Sequence, residues 1–150
     1  FVVGHVLLRR LLAAHGVGEA LVEVDFDGRP RLAGAAPWRV SLAHCDRTVV
    51  ALIATAAAGV DIERERSLRD PAALRAFLGD PRVDSASALE RWVVAEARIK
   101  CGVGAASAWI ARRDDVCIAV AGATNAPTLW THDLINVTYN RVAQKWTAVS

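Results

Sequence analysis

The sequence lacks the features that define several common classes of protein. Its three cysteines, Cys45, Cys101 and Cys117, are an odd number without metal-ligand spacing, which argues against a disulfide framework and a zinc site. The net charge of +2 is too small to indicate nucleic acid by itself. No signal peptide is evident, and the apolar run from 49 to 60 is only about 12 residues, too short to span a bilayer. We therefore expect a cytoplasmic chain without nucleic-acid or membrane partners.

A nucleophilic catalytic triad is also missing. Ser41, His44 and Cys45 lie close together in the sequence, as a nucleophile and its base would. However, the chain has no Gly-x-Ser-x-Gly elbow, and no acidic residue is placed in sequence to orient the imidazole. We therefore do not assign acyl transfer through a serine or cysteine to this group.

The chain contains enough apolar residues for a sizeable core. Its 150 residues are 53% apolar, which excludes disorder and favours one domain or two small halves. Periodicity and capping residues predict three helices, over 2–14, 71–78 and about 85–100. Alternation predicts strands over 20–26, 38–44, 48–55, 58–63, 108–110, 116–121, 134–139 and 145–149, and composition predicts a charged linker over 64–70.

Two segments of the chain are similar to each other. Arg9–Gly18 and Ala95–Gly104 both read as a helix that ends in X-Gly-Val-Gly and is followed by strands. The similarity predicts an α+β fold of two related halves, 1–57 and 58–150, each with a helix packed on a small antiparallel sheet. A pseudo-twofold axis would relate the halves, with a site in the cleft between them. Such a chain would be a monomer.

Acidic residues recur at two informative spacings. Asp61 and Glu63 end an apolar strand and share one face of it, because side chains alternate along a strand. Trp92, Glu96 and Lys100 share one stripe of the last helix, because residues four apart are neighbours. If the two faces meet, three carboxylates surround one point beside an ammonium group. Such oxygen ligands suit Mg²⁺, so the arrangement predicts chemistry on a phosphate or pyrophosphate.

Each of these features also has a purely structural interpretation. Asp61 and Glu63 could be solvated residues at a strand end, and Glu96 with Lys100 is a common helix-stabilising pair. The turn at Gly28-Arg29-Pro30 could be no more than a turn. Arg29 nevertheless suits a terminal phosphate, because a guanidinium group binds phosphate oxygens bidentately.

Four short motifs, in this order and at this spacing, resemble the 4′-phosphopantetheinyl transferase superfamily. They are Gly28-Arg29-Pro30, Ser41-Leu42-Ala43-His44-Cys45, Gly59-Val60-Asp61-Ile62-Glu63 and Trp92-Val93-Val94-Ala95-Glu96-Ala97-Arg98-Ile99-Lys100-Cys101-Gly102. The resemblance is to the larger, single-chain, pseudo-dimeric type that activates peptide and polyketide synthases. It extends from about residue 4 to about residue 105, and Trp146–Val149 matches more loosely.

The resemblance implies a reaction and a set of roles. Such enzymes move the phosphopantetheine arm of coenzyme A onto a serine of an acyl or peptidyl carrier protein, with Mg²⁺ as cofactor. The matching positions for the metal are Asp61, Glu63 and Glu96. Those implied to be catalytic are Glu96, Lys100 and His44. Those implied to bind coenzyme A are Gly28, Arg29, Pro30, Ala43, His44 and Lys100.

Departures from the family pattern keep a second function open. Ala43 and Cys45 replace two serines that could bind phosphate oxygens, and Arg29 replaces a lysine. The alternative is a catalytically impaired module that binds coenzyme A or a carrier protein. A Mg²⁺ nuclease is disfavoured, because Glu96 and Lys100 are four apart on a helix rather than two apart on a strand.

Overall fold

A computed structural model describes most of the chain. The described residues are 2–18, 20–34, 37–64, 71–104, 106–113, 115–133, 138–142 and 144–149. The helices within them are α1 (Val2–Ala14), α2 (Pro71–Leu78) and α3 (Ser85–Cys101). The strands are β1 (Leu21–Val24), β2 (Pro30–Ala33), β3 (Arg39–Cys45), β4 (Thr48–Ala54), β5 (Gly59–Arg64), β6 (Ala108–Arg113), β7 (Val116–Ala121), β8 (Leu129–Asp133), β9 (Thr138–Val142) and β10 (Thr147–Val149).

These elements make an α+β fold with several small antiparallel sheets. One sheet has four strands in the order β10-β6-β7-β5, and the hairpins β1-β2, β3-β4 and β8-β9 each form a two-stranded sheet. The strand pairing therefore differs between the part of the chain that carries α1 and the part that carries α3. None of the described helices is both long and apolar enough to cross a membrane.

The three helices form where the sequence predicts them. The carboxylate of Asp84 caps α3 by accepting a hydrogen bond from the Ser87 amide at 2.9 Å. Gly102 ends the helix in the left-handed conformation, with φ 76°, and its amide donates to the carbonyls of Arg98 and Ile99. Gly16 adopts the same left-handed conformation, φ 70°, just beyond α1. Each of the two similar segments thus has a left-handed glycine after its helix.

Several strand predictions need correction. Pro30–Ala33 is a strand that the sequence pattern did not predict. A proline and an arginine after a turn do not show the alternation of apolar and polar residues that is typical of a strand. Of the predicted strand over 134–139, residues 138 and 139 are described and lie in β9, which continues to Val142. Residues 134–137 lie outside the described part, as does the predicted linker from 65 to 70.

The four-stranded sheet separates two layers of core. Alternate residues of β7 point to opposite faces, so Cys117, Ala119 and Ala121 pack under α3 while Val116, Ile118 and Val120 pack with β3. A third cluster lies under α1 and contains Leu8, Leu12 and Val22, with Leu32, Val40 and Leu42 packed against it. The second cluster joins the predicted halves, because it contains Ala43 and Cys45 from one and Val60 and Ile62 from the other.

Candidate functional site

The site is built around the place where α3 crosses the start of β5. A Cβ atom on Gly59 would overlap the carbonyl oxygen of Ala97 and the amide nitrogen of Cys101, and would lie 2.8 Å from the carbonyl carbon of Lys100. Real Cβ atoms do not approach backbone atoms so closely, so only glycine allows this contact. The crossing places the last turn of α3 directly above the strand that carries Asp61 and Glu63.

Asp61 and Lys100 form an ion pair across this crossing. The Lys100 Nζ lies 2.6 Å from Asp61 Oδ1, and the two side chains are 27% and 11% exposed, respectively. Asp61 and Ser41 are the polar residues buried within the described part of the chain. The residue spacing predicts a lysine close to the acid pair, and in the structure Lys100 lies beside Asp61. The lysine contacts the strand carboxylate, whereas helical spacing alone suggested Glu96 as its neighbour.

Two further carboxylates act on Asp61. Burial is the main effect and raises the pKa of the Asp61 carboxyl above its ordinary value. The hydrogen bond and the charge of Lys100 oppose this rise, while the negative charges of Glu96 and Glu63 add to it. The charges of Glu96 and Glu63 therefore both act on the Asp61 carboxyl. Glu96 and Glu63 are both half-buried.

Cys45 is the contact of Glu63 that sequence reasoning missed. The Cys45 thiol donates to Glu63 Oε2 at 3.5 Å, and the Val60 amide donates to Ser41 Oγ at 3.2 Å. These bonds hold β3 beside β5, with Ala43 buried between them. Burial, followed by the charge of Glu63, raises the pKa of the Cys45 thiol. A raised pKa favours the thiol over the thiolate. No sequence pattern pointed to this pair.

His44 lies on the opposite face of β3 from Cys45. Its neighbours in the strand, Ala43 and Cys45, are buried, whereas His44 is exposed and pairs with Val49 in the β3-β4 register. Alternation turns its side chain away from the Glu63 side of the strand. No described hydrogen bond or ion pair connects His44 with the acidic residues, so the structure does not bring it together with them.

Gly28 and Arg29 lie in the turn between β1 and β2, and Pro30 is the first residue of β2. Gly28 has φ 78°, and the Arg29 amide donates to Asp25 Oδ1 at 2.9 Å. Arg31 forms an ion pair with the other oxygen of Asp25 at 2.8 Å. The Arg29 side chain is exposed. Among the described residues, no hydrogen bond or ion pair links this turn to Asp61, Glu96 or Lys100.

Trp92 has a structural role in the packing of α3 rather than a chemical role. Its ring meets the Phe77 ring of α2 edge-to-face, with centroids 4.9 Å apart and an interplanar angle of 66°. Trp92 also packs against the core cluster under α3. It therefore attaches α2 to α3, on the same stripe that presents Glu96 and Lys100.

The acids fit a divalent cation by their chemistry but not by their present spacing. Carboxylate oxygens are among the ligands that Mg²⁺ prefers. In the described part of the chain, however, no three His, Cys, Asp or Glu side chains stand close enough together to hold a metal ion. Lys100 supplies the positive charge beside Asp61 in this conformation.

A groove of the described structure lies elsewhere on α3. It has a volume of about 890 Å³ and is lined by residues that include Val94, Arg98, Ile99, Ile110 and Val149. Helical spacing turns most of these α3 residues away from the stripe of Glu96 and Lys100. The acidic site beside β5 therefore lies outside this groove.

Comparison with known proteins adds no assignment. No protein-family model matches the chain, and no curated protein matches it.

Proposed function

We propose that this protein is a 4′-phosphopantetheinyl transferase, which moves the phosphopantetheine arm of coenzyme A to a serine of an acyl or peptidyl carrier protein. The observation that carries the proposal is the ion pair of Lys100 with Asp61, whose carboxyl is also under the charges of Glu63 and Glu96. It supports the proposal because phosphate-transferring sites combine a lysine with carboxylates. The ordered motifs supply the substrate class.

The carboxylates supply both metal ligands and a base, and Glu96 has both roles. Asp61, Glu63 and Glu96 are the residues that would hold Mg²⁺, and Mg²⁺ bound there would offset the charge of the pyrophosphate as the P–O bond breaks. Glu96 accepts the proton of the serine hydroxyl as the serine oxygen forms its bond to phosphorus. The bond between that phosphorus and the bridging oxygen breaks, and adenosine 3′,5′-bisphosphate leaves.

Lys100 and the residues of the N-terminal part act on the phosphates. Lys100 donates hydrogen bonds to the pyrophosphate and stabilises the departing phosphate. His44 contacts the nucleotide phosphates, and Gly28, Arg29, Pro30 and Ala43 lie along the nucleotide. These roles for the N-terminal residues remain predictions of the family resemblance, since the described contacts do not link them to the acids.

We propose the pseudo-twofold arrangement of this enzyme type for the fold as well. Two local features support it. Both α1 and α3 end at a left-handed glycine, Gly16 and Gly102. Each helix also packs on antiparallel strands, α1 on the β3-β4 hairpin and α3 on the four-stranded sheet.

A transfer assay tests the function. The protein is incubated with coenzyme A, Mg²⁺ and several apo carrier proteins, and intact-mass spectrometry measures the gain of one phosphopantetheine on the serine. We expect the gain with wild type and a fall in rate of about 10²- to 10⁴-fold in Glu96→Gln, because the base is lost. Asp84→Asn, on the same helix but at its exposed cap, is the matched control and should retain the activity.

The absence of any mass gain from folded wild-type protein with every carrier would refute the transferase. Full activity of Glu96→Gln would refute the role of Glu96 while leaving the reaction intact.

One observation favours the alternative, a module that binds coenzyme A or a carrier protein without transfer. Ala43 and Cys45 are buried against β5 and offer no hydroxyl to a phosphate. Calorimetry with coenzyme A and Mg²⁺ separates the two functions. Tight binding without a mass gain on any carrier would identify the module.

A further inference from the structure

The groove on α3 lies between this helix and the edge of the four-stranded sheet. Facing the helix are Ile110 of β6 and Val149 of β10, the edge strand, and both take part in the packing under α3. The helical wall recurs at intervals of three or four residues and so forms one stripe, made of Ser87, Arg91, Val94, Ala95, Arg98 and Gly102. Glu96 and Lys100 lie outside this stripe, so the groove is separate from the acidic site.

The groove is long and narrow. From Ser87 to Gly102 the helix rises by about 22 Å, at 1.5 Å per residue. The groove volume of about 890 Å³ then corresponds to a mean cross-section of about 40 Å². A helix with its side chains is at least about 10 Å wide, which is a cross-section of about 80 Å². The groove therefore suits one extended chain and not a helix.

Most of the groove wall is apolar. Val94, Ala95, Ile110 and Val149 contribute apolar side chains, and the backbone groups of α3 are bonded within the helix. An extended peptide would leave N–H and C=O groups unpaired against this wall, which is costly. A hydrocarbon chain carries no such groups, so it is the better occupant.

Two of the three charged residues in the groove are already paired. Glu90 Oε1 accepts from Arg112 Nε at 2.9 Å, and Arg91 forms an ion pair with Asp80, also at 2.9 Å. Their charges are therefore balanced without a ligand.

Arg98 is the third charged residue, and it has a different environment. Its Nε donates to the Ala106 carbonyl at 3.0 Å, which fixes the guanidinium group, and no carboxylate of the described residues pairs with it. Its full positive charge outweighs the partial charge of about −0.5 at the nearby end of α3. The groove thus presents one unbalanced positive charge beside an apolar wall. A carboxylate matches that charge, whereas a phosphate monoester carries about −1.5 to −2.

We propose that this groove binds a fatty-acid anion, with its carboxylate on the Arg98 guanidinium and its aliphatic chain along Val94, Ala95, Ile110 and Val149. A guanidinium group holds a carboxylate through two parallel hydrogen bonds. Burial of the chain supplies the rest of the affinity. The site is independent of the proposed transfer reaction, because it uses another stripe of α3.

Wild-type protein alone provides the first test, by calorimetry below the concentrations at which the ligands form micelles. Dodecanoate should bind with a dissociation constant below about 1 mM. Dodecyltrimethylammonium, with the same chain and the opposite charge, should bind at least about tenfold more weakly, because it meets Arg98. Decanoate should bind up to about 15-fold more weakly than dodecanoate, the value for full burial of two methylene groups.

A pair of arginine variants tests the charge. Arg98→Met should weaken dodecanoate binding by at least about tenfold and remove the preference over dodecyltrimethylammonium. Arg91→Met is the matched control, because this arginine lines the same groove but is already paired with Asp80. It should change the dissociation constant by less than about twofold.

A pair of alanine variants tests the apolar wall. Ala95→Leu places a larger side chain in the groove and should weaken dodecanoate binding by at least about tenfold, because the chain loses its place. Ala72→Leu makes the same change at an exposed position of α2 and should leave binding unchanged. Circular dichroism checks that each variant folds, and the comparison of ligands on wild type does not depend on any variant.

Four results would overturn the inference: no binding of dodecanoate by wild type up to about 1 mM, equal affinity for the cationic ligand, equal losses in Arg98→Met and Arg91→Met, or unchanged binding in folded Ala95→Leu. The transfer assay on the same wild-type preparation is a separate readout. Its outcome decides the proposed function and leaves the groove proposal unaffected.

Discussion

The contact of α1 with the β3-β4 hairpin and the contact of α3 with β5 differ in the kind of atoms that meet. Where α1 packs on the β3-β4 hairpin, a Cβ atom on Gly4 would meet the flexible end of Leu42, at 3.1 Å. Where α3 packs on β5, a Cβ atom on Gly59 would meet backbone atoms of Ala97 and Cys101. A side chain can move aside and a helix backbone cannot. The α3 contact is therefore the rigid one, and it is the one that holds charged residues together.

An aspartate in each region shows a corresponding difference, because the pKa of its carboxyl is shifted in opposite directions. Asp25, at the β1-β2 turn, is surrounded by donors, and the Arg29 amide followed by Arg31 lowers the pKa of its carboxyl. Burial, followed by the charges of Glu96 and Glu63, raises the pKa of Asp61 despite its bond to Lys100. The first acid stabilises a turn through its charge, whereas the charge of the second is held at a cost to stability. A charge kept at such a cost favours a functional role.

The largest expected effect comes from filling the rigid contact. Gly59→Ala should lower the free energy of unfolding by about 3 kcal/mol, the upper end of overpacking costs, because α3 has to shift away from β5. Urea unfolding followed by circular dichroism measures the change.

Gly4→Ala is the matched control in the other region. Its cost from Leu42 is offset by the better helix propensity of alanine, so the change should stay within about 1 kcal/mol in either direction. Equal losses in the two variants would contradict the distinction between a backbone contact and a side-chain contact.

The contributions of Asp61 and Asp25 to the free energy of unfolding should depend on pH in opposite directions, and this smaller effect sharpens the comparison. Because folding raises the pKa of Asp61 above 3.8, the folded state binds the proton more tightly, and wild type should lose stability relative to Asp61→Asn as pH rises from 3.8 through the raised pKa. Folding lowers the pKa of Asp25, so its contribution is present above 3.8 and is lost as pH falls through the lowered pKa.

Urea unfolding between about pH 3 and pH 7, in the presence of EDTA, measures both dependences. Asp25→Asn serves as the comparison, and its difference from wild type should appear above 3.8 and vanish in acid. A wild type that gains stability relative to Asp61→Asn as pH rises would mean that the Lys100 bond outweighs burial.

The smallest expected effect on stability is that of Arg29→Ala. The bond of Arg29 to Asp25 uses its backbone amide, which the substitution keeps, and its side chain is exposed. The free energy of unfolding should change by no more than about 0.5 kcal/mol. If the proposed role is correct, KM for coenzyme A rises in the transfer assay, whereas an unchanged KM would return Gly28-Arg29-Pro30 to a plain turn.

The residues that depend on local order were predictable from the sequence. Asp84 and Gly102 mark the ends of α3, and alternation places Asp61 and Glu63 on the same face of β5, opposite Ala119 and Cys117 of β7. Capping and strand periodicity act within a few residues, so a single sequence records them.

The residues that depend on distant contacts were not predictable. Helical spacing offered Glu96 as the neighbour of Lys100, yet Asp61, 39 positions away, takes the bond. Gly59 lies near the start of a predicted strand. The reason that no side chain fits at this position appears only once α3 lies on it. The bond of Cys45 to Glu63 depends likewise on β3 lying beside β5, which no local pattern specifies.

The most direct test is a crystal of the protein grown with Mn²⁺ and coenzyme A, with diffraction measured at the manganese edge. We predict one anomalous peak bound by oxygens of Asp61, Glu63 and Glu96, and the Lys100 ammonium on a phosphate. A peak bound by other residues, or coenzyme A bound with Lys100 still on Asp61 and no manganese between the acids, would contradict the proposed site.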